Sequence, residues 1–165
     1  DNFLGEVSER WEAAAQKFSD LGLRVAIIRI GIVLAADGGA LPQIARPVKY
    51  NVGTALGSGK QWQSWIHVKD LARMFLFLVS KGSKGVYNGV APNPVTNEDL
   101  TNEVARVMDK KVWLPKVPGF ALKLVMGEMS SVVLGSQLVS SKKVEDEGFN
   151  FLFINLRQAI NNIYQ

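Results

Sequence analysis

Cysteine is absent from the chain, so disulfide frameworks, thiolate metal centres and cysteine nucleophiles are excluded from the outset. Histidine occurs once, at His67, which rules out a histidine-rich metal site; no metal is expected. No apolar run reaches membrane-spanning length and no signal-peptide pattern is present, so the chain is expected to be soluble and cytoplasmic, with no membrane partner. Two phosphate-binding motifs are missing where glycines invite them. A GxxxxGKS/T loop would need glycine at Thr54 and Ser or Thr at Gln61, and a GxGxxG fingerprint from Gly57 would need glycine at Trp62. The first residue is not methionine and already sits in a helical pattern, from which a fragment is expected.

What is present suits one domain. The chain has 165 residues, 47% of them apolar, enough for a real core. The net charge of +4 is mild. Arg46, Lys49, Lys60, Lys69, Arg73, Lys81 and Lys84 bias the middle of the chain to positive charge, opposed there only by Asp70. Such a bias can favour an anionic ligand, but it reads first as a solvated face, and no nucleic-acid partner is expected.

Chemistry-bearing residues concentrate in Leu56-Gly57-Ser58-Gly59-Lys60-Gln61-Trp62-Gln63-Ser64-Trp65-Ile66-His67-Val68-Lys69-Asp70-Leu71. Gln61 to Ile66 suits a short strand fed by a glycine turn. Gln61, Gln63 and Trp65 would share one face, and Trp62, Ser64 and Ile66 the other. From Val68 the period becomes helical, with Val68, Leu71, Ala72, Phe75, Leu78 and Val79 as the apolar stripe and Asp70 in the first turn, where the helix dipole favours a carboxylate.

The remainder alternates helices and strands. Asn2 to Leu21 reads as an amphipathic helix with Phe3, Val7, Trp11, Ala14, Ala15 and Phe18 on one side and Gly22 as its C-terminal cap. Val25 to Leu34 is almost continuously apolar and β-branched, as in a parallel strand buried on both faces; Arg29 interrupts it and needs a partner or the rim of a site. Asp37-Gly38-Gly39 is a turn, and Ala40 to Tyr50 a helix broken or kinked at Pro47. Gly85 to Val90 reads as a strand, Thr96 with Asp99 as a capping box for a helix to Met108, and Val112 to Leu114 as another strand. Phe120 to Met126, Met129 to Leu134 and Ser140 to Glu147 read as short helices, Phe149 to Phe153 as strand-like, and Asn155 as the cap of a last helix. This is an α/β order without a first strand and glycine-rich turn to begin a nucleotide-binding half.

At this point a resemblance appears. The run Leu56 to Leu71, Arg29-Ile30-Gly31-Ile32-Val33-Leu34, Gly38-Gly39-Ala40-Leu41, Asn88 to Asn97 and Gly127-Glu128-Met129 resemble the C-terminal half of the atypical extended short-chain dehydrogenase/reductases, and more closely the NAD(P)-dependent epimerase family proteins. The resemblance covers essentially the whole chain, Phe149 to Tyr164 being the end of that group's small C-terminal segment. It implies an α/β, Rossmann-type fold with a small α+β substrate-binding portion: residues 1–50 carry a late strand and helices of the Rossmann-type domain, residues 51–165 the substrate-binding and C-terminal portion, and the N-terminal nucleotide-binding half is absent. The implied cofactor is NAD or NADP, met near Arg29, Gly31 and Ile32 at the end of the late strand. Where extended members carry Arg-Pro-Gly-Asn-Val-Tyr, this chain keeps Arg29, Gly31 and Val33 but has Ile30, Ile32 and Leu34 at the other three positions. The superfamily's Tyr-x-x-x-Lys pair, which supplies the acid/base, falls on or near Leu4 and Ser8, so no catalytic residue is assigned.

Substrate candidates are Ser58, Gly59, Lys60, Gln61, Trp62, Trp65, His67 and Asn88. Lys60 and Gln61 are the leading choices for a polar or anionic small molecule, with Ser58 and Gly59 offering backbone N–H groups. Each has a plainer reading: Trp62 and Trp65 as packing, His67 as a backbone partner, Asn88 as structural, Arg29 as an ion pair. Three functions stay open. The first is the substrate-binding half of an NAD(P)-dependent epimerase or oxidoreductase, inactive alone and requiring its missing half or self-association. The second is a non-catalytic dinucleotide sensor on the same fold, and the third is a protein-interaction module.

Overall fold

The computed structural model of the chain describes residues 3–127 and 130–165. Asn2, expected to open the first helix, and Glu128 and Met129 of the Gly127-Glu128-Met129 motif lie outside these residues. In order come α1 (Phe3–Asp20), β1 (Ala26–Ile30), β2 (Ile32–Leu34), α2 (Ala40–Lys49), β3 (Trp62–Gln63), β4 (Trp65–His67), α3 (Val68–Lys81), β5 (Gly85–Gly89), β6 (Val95–Thr96) and α4 (Asn97–Val107). Then follow α5 (Gly119–Met126), α6 (Ser130–Leu134), α7 (Lys142–Asp146) and α8 (Leu156–Tyr164). No helix among the described residues is long and apolar enough to cross a membrane.

The apolar run from Val25 to Leu34 is interrupted at Gly31, where it changes partner. β1 pairs in parallel with β5, Ala26 opposite Gly85 through Ile30 opposite Gly89. β2 pairs in parallel with β4, Ile32 opposite Trp65 through Leu34 opposite His67. Parallel neighbours need crossover connections, and the helices α2 and α3 lie on them. At the switch, the Gly31 N–H donates to Gly89 O (3.1 Å) and the next N–H, of Ile32, to Ser64 O (2.9 Å). The chains approach so closely that a Cβ on Gly31 would stand 2.4 Å from Ser64 O and 2.7 Å from Val90 Cγ1, so only glycine fits.

β4 turns successive side chains to opposite faces and so divides the interior. Trp65 joins Leu34, Leu41, Val48, Leu100, Val104 and Ile160 in one buried cluster, bounded by α2, α4 and α8. Ile66 joins Met74, Leu78, Tyr87, Val144 and Phe149 in the other. Each fully buried large apolar side chain contributes roughly 1.5–3 kcal/mol, so these two clusters carry the fold. α4 begins at the expected capping box: Thr96 Oγ1 accepts the Asp99 N–H (3.1 Å), while the Asp99 carboxylate accepts the Thr96 N–H.

Four expectations need correction. β1 is not buried on both faces: Ala26, Arg29 and Ile30 are exposed, and no described strand pairs with its other edge. α1 leaves Phe3, Trp11 and Phe18 exposed rather than packed. α3 turns Asp70, Met74 and Leu78 inward, while Val68, Phe75 and Val79 of the expected stripe face solvent. That helix is apolar on two sides, so its period alone could not choose the face. Val112 to Leu114 forms no strand; Trp113 is exposed and its indole N–H donates to Asn51 O (2.9 Å).

The extended segment Phe149 to Phe153 is fastened by a side chain instead of a ladder. The fully buried Asp70 carboxylate accepts the N–H groups of Leu152 (3.0 Å) and Phe153 (2.9 Å) and pairs with Arg73 (2.7 Å). Its first-turn position is legible from sequence, but its chief work is to hold the C-terminal segment to α3.

Candidate active-site cavity

The partner change at Gly31 opens a cavity of about 570 Å³ at the C-terminal end of β1. Gly5 and Ser8 of α1 form one wall, Ile30, Gly31 and Ile32 the floor, and Trp62, Gln63 and Ser64 a second wall. Ser131, Gly135, Ser136 and Gln137, from α6 and the segment after it, close the remaining side. In α/β folds the carboxyl end of a parallel strand, where neighbouring strands diverge, is the usual place for a ligand. Two other hollows of about 500 Å³ are more open: one beside Leu76, Val79 and Phe149, and one where Glu103 is already paired with both Arg106 and Arg157.

The two side walls are tied together by backbone and serine groups. Trp62 N–H donates to Ser136 Oγ (3.0 Å) and Gln137 N–H to Trp62 O (3.1 Å). Ser64 Oγ–H donates to Gln137 O (3.0 Å), and Val139 N–H donates to Ser64 Oγ (3.1 Å). The side-chain amides of Gln63 and Gln137 make no hydrogen bond with the described residues, and Gln63 Oε1 is enclosed as well as unpartnered. None of the described lining residues has an ionisable side chain.

Of the residues expected to bind cofactor or substrate, Gly31, Ile32 and Trp62 line this cavity. The others have partners elsewhere. Arg29 is exposed and forms a two-pronged ion pair with Glu12 of α1, both contacts at 2.7 Å, which holds the Glu12 carboxyl below its ordinary range. Gln61 is buried; its amide N–H donates to Leu56 O (2.9 Å) and its Oε1 accepts from Ser58 Oγ–H (3.3 Å). Ser58 Oγ also accepts the Lys60 N–H, Ser58 O accepts from Lys116 (2.9 Å), and Gly59 O accepts the Glu98 N–H (3.0 Å). The glycine turn is thereby docked on the start of α4, and the Lys60 side chain points to solvent. Trp65 is fully buried and its indole N–H donates to Asn93 O (2.8 Å). Asn88 donates to Ser140 O (2.9 Å).

His67 caps α3: its Nδ1 accepts the Lys69 N–H (3.0 Å) and its ring stacks on Phe153 at 4.0 Å. Burial lowers its pKa first, with the Lys69 charge adding and Asp70 opposing. The neutral ring it implies suits a capping acceptor.

Gly5, Gln63, Ser136 and Gln137 were absent from the sequence candidates. Gln63 had a signal, since alternation puts it on the face of Gln61; Ser136 and Gln137 had none, lying more than 70 residues from the strand they bond.

Comparison with known proteins adds what the chain is similar to. Residues 11–89 match the NAD dependent epimerase/dehydratase family, and residues 117–163 match a domain of unknown function, DUF1731. Epimerase family protein SAR0825 of Staphylococcus aureus (strain MRSA252) is 41% identical over 165 residues, covering 98% of this chain and 54% of the relative. The crystal structure of human epimerase family protein SDR39U1 (isoform 2) with NADPH matches with a TM-score of 0.80 at 29% identity, over 85% of this chain and 48% of that one. A nucleoside-diphosphate sugar epimerase from Corynebacterium glutamicum matches with a TM-score of 0.77 at 31% identity, over 99% and 31%. The chain spans about half the length of the curated relatives it matches. Its α/β fold is that of Rossmann-type epimerase structures, and in sequence the chain is similar to epimerase family proteins, its residues 11–89 matching the NAD dependent epimerase/dehydratase family.

Proposed function

We propose that this chain is the substrate-binding half of an NAD(P)-dependent epimerase- or oxidoreductase-like protein, acting on a small molecule held in the Gly31 cavity. The observation that carries this reading is the cavity's location at the C-terminal end of a parallel strand, where the backbone changes partner. Residues 1–50 belong to the nucleotide-binding body and residues 51–165 to the substrate side. Exposed Trp11 and Phe18 on α1, Leu76 and Val79 on α3, and the open edge of β1 support a further body that covers them.

The residues present fit one end of a nicotinamide dinucleotide. Ile30, Ile32 and the half-exposed Trp62 offer an apolar slot around Gly31 for a flat ring. The pyrophosphate end needs a glycine-rich turn before a helix, which this sequence does not supply, so it falls to the nucleotide-binding half. When bound, the cofactor would supply the redox step; this chain would orient the substrate and exclude water.

The test is energy transfer from tryptophan to NADPH in the protein joined to its nucleotide-binding half. Transfer should fall when Trp62 becomes Phe and persist when the distant Trp113 does. Equal transfer in both variants would remove the nicotinamide from this cavity. A second reading, dinucleotide sensing without turnover, is favoured by the absence of an ionisable side chain among the described lining residues, which bring no acid or base to the cavity. NADPH consumption on adding sugars or carbonyl compounds separates the two.

A further inference from the structure

The turn after α2 and the segment after α4 meet at the surface of the molecule. The Trp113 indole N–H donates to Asn51 O (2.9 Å) and Thr54 Oγ–H to Leu114 O (3.1 Å), which lays residues 50–54 beside residues 113–115. These bonds fix the two backbones and leave large apolar side chains outside: Trp113 is 69% exposed, Tyr50 68% and Val52 52%. One exposed aromatic is ordinary, but three such side chains on two loops tied together form a patch, and no element among the described residues covers it.

The same loops carry cations. Arg46 and Lys49 stand in the last turn of α2, just before Tyr50, and Lys110 and Lys111 just before Trp113. Arg46, Lys49 and Lys111 are exposed, and none of the four is paired with a carboxylate among the described residues. By contrast Arg29, Arg106, Lys116 and Arg157 each meet one. Four cations stand against a single carboxylate, Asp109, a net charge of +3 over residues 46–54 and 109–115. The C-terminal ends of two helices favour cations, which accounts for the basic residues but not for the exposed Tyr50, Val52 and Trp113. None of the three hollows described above is lined by these residues, so they form a face and not a groove. Such a face suits an anionic bilayer, where Trp and Tyr rings settle at headgroup level and Lys and Arg lay apolar stems along them. A single strand of nucleic acid also takes aromatics with cations, but in a groove that tracks its backbone.

We propose that Tyr50, Val52 and Trp113, with Arg46, Lys49 and Lys111, dock the protein on the surface of an anionic lipid bilayer. The contact is peripheral and needs no spanning helix, so the lack of an apolar run of that length, from which no membrane partner is expected, does not bear on it. It lies on the layer enclosed by α2, α4 and α8, whereas the surfaces left for a nucleotide-binding half are on α1, α3 and the edge of β1. It also stands whether or not the Gly31 cavity takes a ligand.

The experiment is sedimentation of the whole chain with vesicles of phosphatidylcholine, alone or with about 30% phosphatidylserine. Binding to the anionic vesicles should exceed binding to the neutral ones about tenfold or more. Lys49→Ala and Lys111→Ala change exposed side chains without partners among the described residues and so keep the fold; each should weaken binding about fivefold, the expectation for one basic residue at an anionic surface. Lys17→Ala on α1 and Lys84→Ala before β5 remove the same charge elsewhere and should change binding less than about twofold. Brominated lipid should quench tryptophan emission in the native protein and much less in Trp113→Phe. Equal binding to neutral vesicles, which exposed apolar residues of α1 and α3 would give by themselves, overturns the proposal. So do an equal fall with Lys17→Ala and Lys84→Ala, quenching unchanged in Trp113→Phe, and no binding to either vesicle. An oligo(dT) of about 20 nucleotides should bind more weakly than the anionic vesicles; tighter binding overturns the bilayer in favour of single-stranded nucleic acid.

Discussion

Gln61 and Gln63 stand two residues apart on one face of the same extended stretch, both buried, and differ in what they have left to offer. Gln61 spends its amide on Leu56 O and Ser58 Oγ, and its own carbonyl accepts the Asn97 N–H (3.0 Å), so it welds the glycine turn to α4. Gln63 spends nothing and lines a cavity. The pair teaches that a glycine-rich turn crowded with polar residues is not thereby a binding loop. Its backbone freedom, Gly57 and Gly59 both having positive φ, serves to dock the turn, and the groups still available for a ligand begin one residue past it.

The comparison breaks first at the floor of the cavity. Gly31→Ala should force Ser64 and Val90 away from a Cβ with no room to shift, costing about 3 kcal/mol, the upper end for overpacking against backbone. Chemical denaturation measures it. An unchanged midpoint would mean that the wall carrying Gln63 is not held where the hydrogen bonds put it.

Next in size is Gln61→Leu. It removes one of the two N–H donors to the half-buried Leu56 O, which keeps the Gly59 N–H (3.0 Å), and should cost about 1 kcal/mol in the same assay. A matching loss for Gln63→Leu would erase the distinction between the two glutamines.

How much of this was legible in the sequence depends on the range of the interaction. Local signals survived: the Thr96 and Asp99 capping box, the Gly22 cap with its positive φ, and the alternation that sends Trp65 and Ile66 to separate clusters are all set by residues within a few positions. The parallel pairing of β1 was legible as a β-branched run, but not its partner change, which depends on the approach of Ser64 and Val90 to Gly31. The cavity wall was invisible because Ser136 and Gln137 meet Trp62 and Ser64 only through the fold. Phe149 to Phe153 looked like a strand and is extended, yet its N–H groups go to a side chain, Asp70, that read as a helix-start residue.

His67 sharpens the comparison from another side, since among the described residues it is the second buried group with an unpaired atom, Nε2, and lies outside the cavity. Its folded pKa is below the unfolded value of about 6.5, so the unfolded chain takes the proton first as pH falls. The stability that the neutral ring contributes is therefore fully present above about pH 6.5 and declines below it, at no more than about 1.4 kcal/mol per pH unit. His67→Asn keeps a capping acceptor for the Lys69 N–H and removes the titration. Melting between pH 7 and pH 5 should fall less steeply in the variant; parallel curves would assign the acid loss to carboxylates such as Glu147, whose bond from Tyr87 lowers its pKa and whose contribution is lost only as pH falls below about 4.5.

The smallest effect belongs to Lys60, the residue in the glycine turn that sequence alone would choose for an anionic ligand. Its side chain is exposed and makes no hydrogen bond or ion pair with the described residues, while its backbone N–H donates to Ser58 Oγ whatever the side chain is. Lys60→Ala therefore keeps the turn and removes one solvated charge, which places the change in stability within about 0.5 kcal/mol. The same variant should leave the energy transfer from Trp62 to NADPH unchanged, because Lys60 is not among the lining residues of the cavity. Transfer that disappears with Lys60 would move the ligand from the Trp62 side of the stretch to the turn, and a rise in salt that abolished it would identify the contact as the charge itself.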